Sequence, residues 1–395
     1  MNLYKRICKN VWTEKFITQD KKIKQLRSFK LAMAKSFVLR MNGGDDSLSY
    51  ANNSCLQKFA MSKLRHVLDE TIKEMMVKNG PIETLKIVDL GCSSGPNTLI
   101  AMSRIIKTLK SLHRDENYPQ YEIYLNDLPS NDYNNLFKML PDFHPGRKNC
   151  FVFALPGSFY GRLLPSNSLQ FGYSCYCLQW LSQIPEGLGM SNKENICIVR
   201  TSPQKAFEAY AKQYERDFST FLKCRGEEMI PNGRMVLAFV GRKNVDHRSE
   251  EDVSGTLRLL GETLSDMVDE GLISKEDLNS FNMPMYFPSQ NEVKTIIEQE
   301  GSFDMDKMEA FEVPWDANGY KNNDNEVFDA HKSGKSSVQC VRAFIEPMLG
   351  YHFRNTSVDI DYVFDRYEQN VVEHIHVSMA TPSYHTLLLS LKRKF

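Results

Sequence analysis

The chain has no apolar run long enough to span a bilayer and no secretory signal core. Membrane insertion and export are therefore not expected. It has no surplus of either charge, since 49 Lys and Arg balance 49 Asp and Glu. Nucleic-acid binders carry a basic excess, which sets that partner class aside. Nine cysteines are present, an odd number, and no pair has zinc-ligand spacing. A disulfide framework and a structural zinc site are thus disfavoured. Cys175 and Cys177 stand two apart and read as small hydrophobes in a reducing compartment. The nine histidines do not gather around a nucleophile, so no catalytic triad is assembled. His374 and His376 come nearest to a metal pair, but nothing beside them completes a ligand set. His247, His331 and His352 read as peripheral. There are no internal repeats and no low-complexity linker. A cytoplasmic protein is the expectation.

What is present supports a large core: 42% of residues are hydrophobic and 11% are aromatic, which is ample for a buried interior. The first forty residues are different. They carry eleven Lys and Arg against only Glu14 and Asp20. Residues 1–32 are therefore read as an extension outside the fold, with Met33 as a sensible alternative start.

Periodicity predicts a helix over 54–78, with Ser54 as its cap and Leu56, Phe59, Ala60 and Val67 on one side. Leu85 to Leu90 is a short apolar run ending in a glycine turn. Leu99, Met102, Ile105, Ile106 and Leu109 then recur at helical spacing. Strand, glycine turn and helix open a βαβ unit. Tyr121–Leu125, Phe151–Leu155 and Leu169–Leu178 read as further strands. A strong helix is predicted over 204–225, where Phe207, Tyr210, Ala211, Tyr214, Phe218, Phe221 and Leu222 share a face. Pro231, Asn232 and Gly233 break the chain before Met235–Val240, whose continuous apolarity predicts a fully buried strand. Helices are expected over 257–268, after a capping box at Ser289 and Glu292, and around 336–348 and 358–375. Thr386–Leu391 reads as a last strand. The alternation implies an α/β fold, an open parallel sheet with helices on both faces. The helix-rich stretch from 245 to 380 is expected to cover the carboxyl edge of the sheet.

Three segments at successive strand ends look built for a ligand. Asp89-Leu90-Gly91-Cys92-Ser93-Ser94-Gly95-Pro96-Asn97 turns a strand into a helix, and its glycines let a ligand approach the backbone. The third glycine of a dinucleotide fingerprint is missing, and Pro96 removes an N–H from the helix start. A ligand without phosphates, carrying an amino-acid tail, suits it better. An oxidoreductase using a dinucleotide is correspondingly disfavoured. Asp127, after Asn126, can accept both hydroxyls of a ribose, and is on residue type equally a helix cap. Ser158 and Phe159 follow the third strand. There Phe159 can stack on adenine or simply pack in the core.

Together with Met41–Gly44, Ser49–Ser54, Leu125–Asp132, Pro156–Leu163, Tyr176–Gln183 and Phe281–Ser289, these segments closely resemble the plant SABATH methyltransferases. The resemblance runs from about 38 to 393. Members of that family methylate small carboxylic acids and, in one branch, xanthine nitrogens. The resemblance implies a class I methyltransferase fold, Rossmann-like, with a mostly parallel seven-stranded sheet and an α-helical cap. It divides the chain into an S-adenosylmethionine-binding core at 33–245, 303–313 and 385–395, and a cap at 246–302 and 314–384. It also implies a homodimer. Carried over by position, the cofactor contacts are Tyr50, Ser54, Asp89, Asn97, Asp127, Leu128, Ser158 and Phe159. The pair that orients a substrate carboxylate is Gln57 and Trp180. The pocket wall takes in Tyr176, Gln179, Leu257, Tyr286 and Tyr384. Without the resemblance, Trp180 reads as core and Gln57 as a solvated helix face.

The implied reaction is methyl-ester formation from S-adenosylmethionine, with a small acid of the benzoate, salicylate, anthranilate or jasmonate type. No metal is needed, and no acid or base is assigned. The alternative is N-methylation of a purine alkaloid: Gln179 departs from the Met or His of many carboxyl methylators, and Cys175–Trp180 resembles the purine branch. Gln57, which nitrogen-methylating relatives tend to lose, favours the acid. A silent binding protein that keeps the fold is a third reading. Intact Asp89, Asp127, Gln57 and Trp180 argue against it.

Overall fold

The structure is a computed structural model and describes residues 39–79, 82–112, 119–143, 149–188, 192–246, 255–317, 329–378 and 382–395. The extension expected at 1–32 and His247 lie outside the described residues. In chain order the elements are α1 (Cys55–Lys63), α2 (Arg65–Asn79), β1 (Thr84–Leu90), α3 (Asn97–Ser111), β2 (Gln120–Asp127), α4 (Tyr133–Lys138), β3 (Cys150–Pro156) and β4 (Leu169–Cys175). There follow α5 (Gln204–Glu228), β5 (Met229–Val240), α6 (Gly255–Asp269), α7 (Lys275–Ser280) and α8 (Gln290–Glu300). The chain closes with β6 (Phe303–Pro314), α9 (Ala330–His352), α10 (Ile360–Ser378) and β7 (Ser383–Arg393).

The seven strands form one sheet in the order β3-β2-β1-β4-β5-β7-β6. The first five run parallel, while β7 is antiparallel to both β5 and β6. Alternation along each strand builds a core on either face. Met235, Leu237 and Phe239 of β5 join Tyr214, Phe218 and Phe221 of α5 and Val293 and Ile297 of α8. Val236 and Ala238 face the other way, with Val67 and Ile72 of α2 and Ile105 and Leu109 of α3. That two-sided burial is why β5 is apolar at every position from Met235 to Val240. The strand order reverses between β1 and β4, and such switch points are where open α/β sheets bind ligands.

Several boundaries differ from the sequence expectation. The single helix expected over 54–78 is two helices, broken at Leu64. Ser54 sits at the first helix start but its side chain makes no capping bond. The fourth strand stops at Cys175 because Tyr176 turns to a left-handed φ of 62°. The break expected at Pro231–Gly233 is absorbed as a bulge inside β5, with Asn232 at φ 62°. The capping box at Ser289 and Glu292 is present. Helix α9 packs on α10, and α10 on α6. No helix among the described residues is long and apolar enough to cross a membrane.

Candidate active site

The three ligand-shaped segments meet at the carboxyl ends of β1, β2 and β3. The turn after β1 depends on Gly91. Its φ is +90°, and a Cβ there would lie 2.2 Å from Cys177 Sγ. Only glycine meets both demands. Ser93 beside it also has positive φ, at 53°, a cost of order 1–3 kcal/mol that surrounding structure has to impose. The imposed contact is visible: Ser93 N–H donates to Asp127 Oδ2 at 2.8 Å. The Leu128 N–H donates to Asp127 Oδ1 at 2.7 Å. The alternative reading of Asp127 as a helix cap is overturned, because Asp132 caps the helix that follows.

Asp89 accepts a hydrogen bond from the Thr98 hydroxyl. Burial pushes its carboxyl up to about 7 and that of Asp127 up to about 6. For Asp127 the two backbone N–H donors pull the other way but do not win. Each carboxylate oxygen of Asp127 keeps acceptor capacity beyond its one bond. Asn97 is buried and donates to the Ser54 carbonyl at 2.9 Å and to the Ser54 hydroxyl at 3.0 Å. That bond explains why Ser54 does not cap its helix. Ser158 is exposed on its turn, and Phe159 is half-buried with its ring edge-on to Phe221.

Beyond the carboxyl ends of β4 and β5, where Tyr176 and Val240 stand, lies a mostly apolar cavity. Tyr50, Gln57, Tyr176, Gln179, Trp180, Leu257 and Tyr384 all line it. None of the described residues that line it carries a charge. The Tyr176 hydroxyl is paired with Thr386 at 2.7 Å, and the Tyr384 hydroxyl with Thr256. Gln179 donates its amide N–H to the Tyr176 carbonyl at 2.8 Å, while its Oε1 is buried without a partner. Trp180 packs edge-on against Phe344. Gln57 Oε1 lies 4.0 Å from the Cys340 thiol.

Tyr286 is a correction. It does not line the cavity; Met285 and Phe287 on either side of it do. In an extended segment alternate side chains point to opposite faces. Tyr286 turns inward to pack on Phe207 and Tyr214, with its hydroxyl held by Arg242 at 3.0 Å and bonded to Glu292 at 2.5 Å.

The profile of the family described as SAM dependent carboxyl methyltransferase matches residues 36–394. A jasmonate O-methyltransferase from Arabidopsis thaliana is 39% identical, over 90% of this chain and 98% of its own length. A salicylate carboxymethyltransferase from Clarkia breweri is 41% identical, over the same shares of the two chains. Among solved structures, a loganic acid methyltransferase with SAH superposes with TM-score 0.77 at 33% identity, over 90% of this chain and 99% of that one. The chain belongs to the SAM-dependent carboxyl methyltransferase family.

S-adenosylmethionine is the cosubstrate of this family, and the residues present fit it. The Ser93 and Ser94 hydroxyls and Asn126 Oδ1 are buried with no protein partner, which polar groups avoid unless a ligand or water serves them. They sit at or just beyond the ends of β1 and β2, the strands that carry Asp89 and Asp127. Gly91 and Gly95 keep that turn clear of side chains, Gly95 with its Cβ position 3.1 Å from Ala51 Cα.

Sequence reasoning missed one whole wall of this carboxyl methyltransferase's cavity. Ser337, Cys340, Val341 and Phe344 of α9 line it, as does Trp315 after β6. The signal was there as spacing: positions i, i+3, i+4 and i+7 form one helical face. Nothing in the sequence says which partner that face meets. The Met41–Ser54 segment is also explained only by its contacts. Asn42 N–H donates to the Ala343 carbonyl at 2.8 Å, and Gly44 N–H to Asp132 Oδ2 at 2.9 Å. The segment therefore ties α9 to α4, and brings Tyr50 to the cavity wall.

Proposed function

We propose that this enzyme forms methyl esters of a small carboxylic acid of the benzoate, salicylate, anthranilate or jasmonate type, by direct in-line transfer. The observation that carries the reading is the cavity wall. Among the described residues it holds no cation to bind an acid, yet it includes Gln57 and Trp180, whose side-chain N–H groups make no hydrogen bond to another described residue. Neutral donors suit a carboxylate that has to stay nucleophilic. An arginine fork would grip it more tightly and lower its reactivity. The jasmonate and salicylate activities that name the relatives support the same acid class.

Bound S-adenosylmethionine supplies a methyl group already activated by its sulfonium, so a carboxylate needs no general base. The protein's contribution is alignment. Gln57 and Trp180 orient the carboxylate, and such placement is worth roughly 7–11 kcal/mol of barrier. Leu257, Phe344 and Val341 exclude water from it. Asp127 receives the ribose hydroxyls, Asp89 and Asn97 hold the amino-acid end, and Tyr50, Ser54 and Leu128 complete the cofactor cleft. Ser158 and Phe159 flank the adenine.

Gln179 narrows the acid. A buried carbonyl oxygen without a donor is costly, at about 1–3 kcal/mol, and an N–H or O–H on the substrate relieves it. This favours hydroxy- or amino-acids of the salicylate and anthranilate kind over bare benzoate. No specific observation favours methylation of a xanthine nitrogen. A cytoplasmic setting is supported by the eight described cysteines, all free thiols. The family resemblance supports a homodimer.

The test is a methyl-transfer screen with labelled S-adenosylmethionine on benzoate, salicylate, anthranilate, jasmonate, indole-acetate, cinnamate, xanthosine and theobromine. Turnover of an acid is expected, collapsing in Gln57→Ala. Turnover of a xanthine with every acid silent overturns the assignment.

A further inference from the structure

No residue of α5 lines the cavity, yet its side chains hold both loops that do the work. The Asp217 carboxylate accepts from the Ser182 backbone N–H at 2.8 Å and from the Ser182 hydroxyl at 2.7 Å, two residues beyond Trp180. Gln213, one turn earlier, donates to the same carboxylate at 2.9 Å. Two turns later, Arg225 Nη1 donates to the Phe159 carbonyl at 3.0 Å and Nη2 to the Gly161 carbonyl at 2.8 Å. Arg225 also bonds Glu228 at 2.8 Å, and Glu228 accepts from the Leu163 and Leu164 N–H groups. The Tyr160 hydroxyl crosses to the Trp180 carbonyl at 2.5 Å and joins the two loops. Residues 217, 225 and 228 stand at i, i+8 and i+11, one face of a helix.

Arg225 and Glu228 are 0% and 1% exposed. A buried ion pair is a poor source of stability, because desolvation cancels most of its attraction. A guanidinium fork on two carbonyl oxygens does fix a backbone turn in one geometry. Here the turn it fixes is the one that carries Ser158 and Phe159.

We propose that α5 is the positioning element of the site, with Asp217 setting the Trp180 loop and Arg225, supported by Glu228, setting the Ser158–Phe159 turn. These are positioning residues, since all three are buried and none lines the cavity. The Trp180 half rests on the proposed role of that residue toward the methyl acceptor. The Arg225 half rests on the cofactor cleft alone.

Two readouts separate the halves: S-adenosylhomocysteine binding by calorimetry, and steady-state methyl transfer on the same panel. Both are taken with the melting temperature for wild type, Asp217→Asn, Arg225→Lys and Glu228→Gln. Arg225→Lys, which keeps the charge but loses the fork, is expected to weaken S-adenosylhomocysteine binding about tenfold, the scale of one lost hydrogen bond from a charged group. Asp217→Asn is expected to leave that affinity at the wild-type value. It lowers kcat/KM for the acceptor by up to about 100-fold, the effect of misplacing an orienting group by about 1 Å. Glu228→Gln keeps an oxygen for the Leu163 and Leu164 N–H groups. It gives a smaller loss in cofactor affinity and serves if Arg225→Lys does not fold. A merely structural role lowers both readouts together with the melting temperature. The proposal is overturned if the variants move both readouts in parallel, or if Arg225→Lys and Glu228→Gln bind S-adenosylhomocysteine as wild type does. If wild type methylates only a xanthine, the acid assignment fails, while the α5 assignment is still read on that acceptor and on S-adenosylhomocysteine.

Discussion

Cofactor affinity is predicted to follow pH, because the two acids of the cleft are poised near neutrality. Burial raises Asp127 to about 6 and Asp89 to about 7. A raised carboxyl favours the protonated form in the folded, ligand-free protein. Its contribution to stability is full below the unfolded carboxyl range and is lost as pH rises through the folded value. The ligand-free enzyme should therefore melt at a lower temperature at about pH 8 than at about pH 5.5. The ribose contact proposed for Asp127 is a donation to the ionised carboxylate, so binding should move the opposite way. At one unit below its folded value, Asp127 is only about one-tenth ionised, which is about 1.4 kcal/mol or tenfold in affinity. S-adenosylhomocysteine should bind about tenfold more weakly at about pH 5 than at about pH 8, with Asp89 adding in the same direction. Calorimetry on wild type and Asp127→Asn checks this. The variant should bind weakly at both pH values and lose most of the slope. A wild-type affinity that is flat, or that rises on acidification, refutes the reasoning, as does an undiminished slope in Asp127→Asn.

Three further outcomes are expected. Gly91→Ala has to place a Cβ against Cys177 Sγ at a φ of +90°, so it should lose about 3 kcal/mol of stability or more, read as a lowered melting midpoint, together with S-adenosylhomocysteine binding. Trp180→Phe keeps a ring against Phe344 but removes the indole N–H. It should cost about 1.5–3 kcal/mol in kcat/KM for the acid, the value of a hydrogen bond to a charged group, with the KM for S-adenosylmethionine unchanged. Gln179→Leu removes the unpaired acceptor, so the preference for salicylate or anthranilate over benzoate should fall by roughly 10- to 100-fold. An unchanged preference would show that Gln179 does not read the substrate.

Much of the fold was legible because local rules decide it. The βαβ alternation, the apolar stretch Met235–Val240 and the Ser289–Glu292 capping box all appear where the sequence places them. The boundaries that moved did so for tertiary reasons. Ser54 gives up its cap to Asn97, and Tyr176 takes a left-handed turn where the fourth strand was expected to continue.

By itself the sequence determined six of the seven strands, the glycine turn at Gly91 and the two acids at successive strand ends, because each follows from backbone geometry and spacing within a few tens of residues; the edge strand β6 lay in a stretch read as helix-rich. Only the tertiary structure decided what shares the cavity. Cys340 and Phe344 of α9 face Gln57 and Trp180 across more than a hundred residues of sequence. Tyr286 turns away while both its neighbours turn in. Arg225 is drawn to the Phe159 and Gly161 carbonyls, because a buried guanidinium has to find its acceptors wherever packing leaves them. Helical and strand periodicity say which face of an element is apolar, and long-range packing alone says what that face meets.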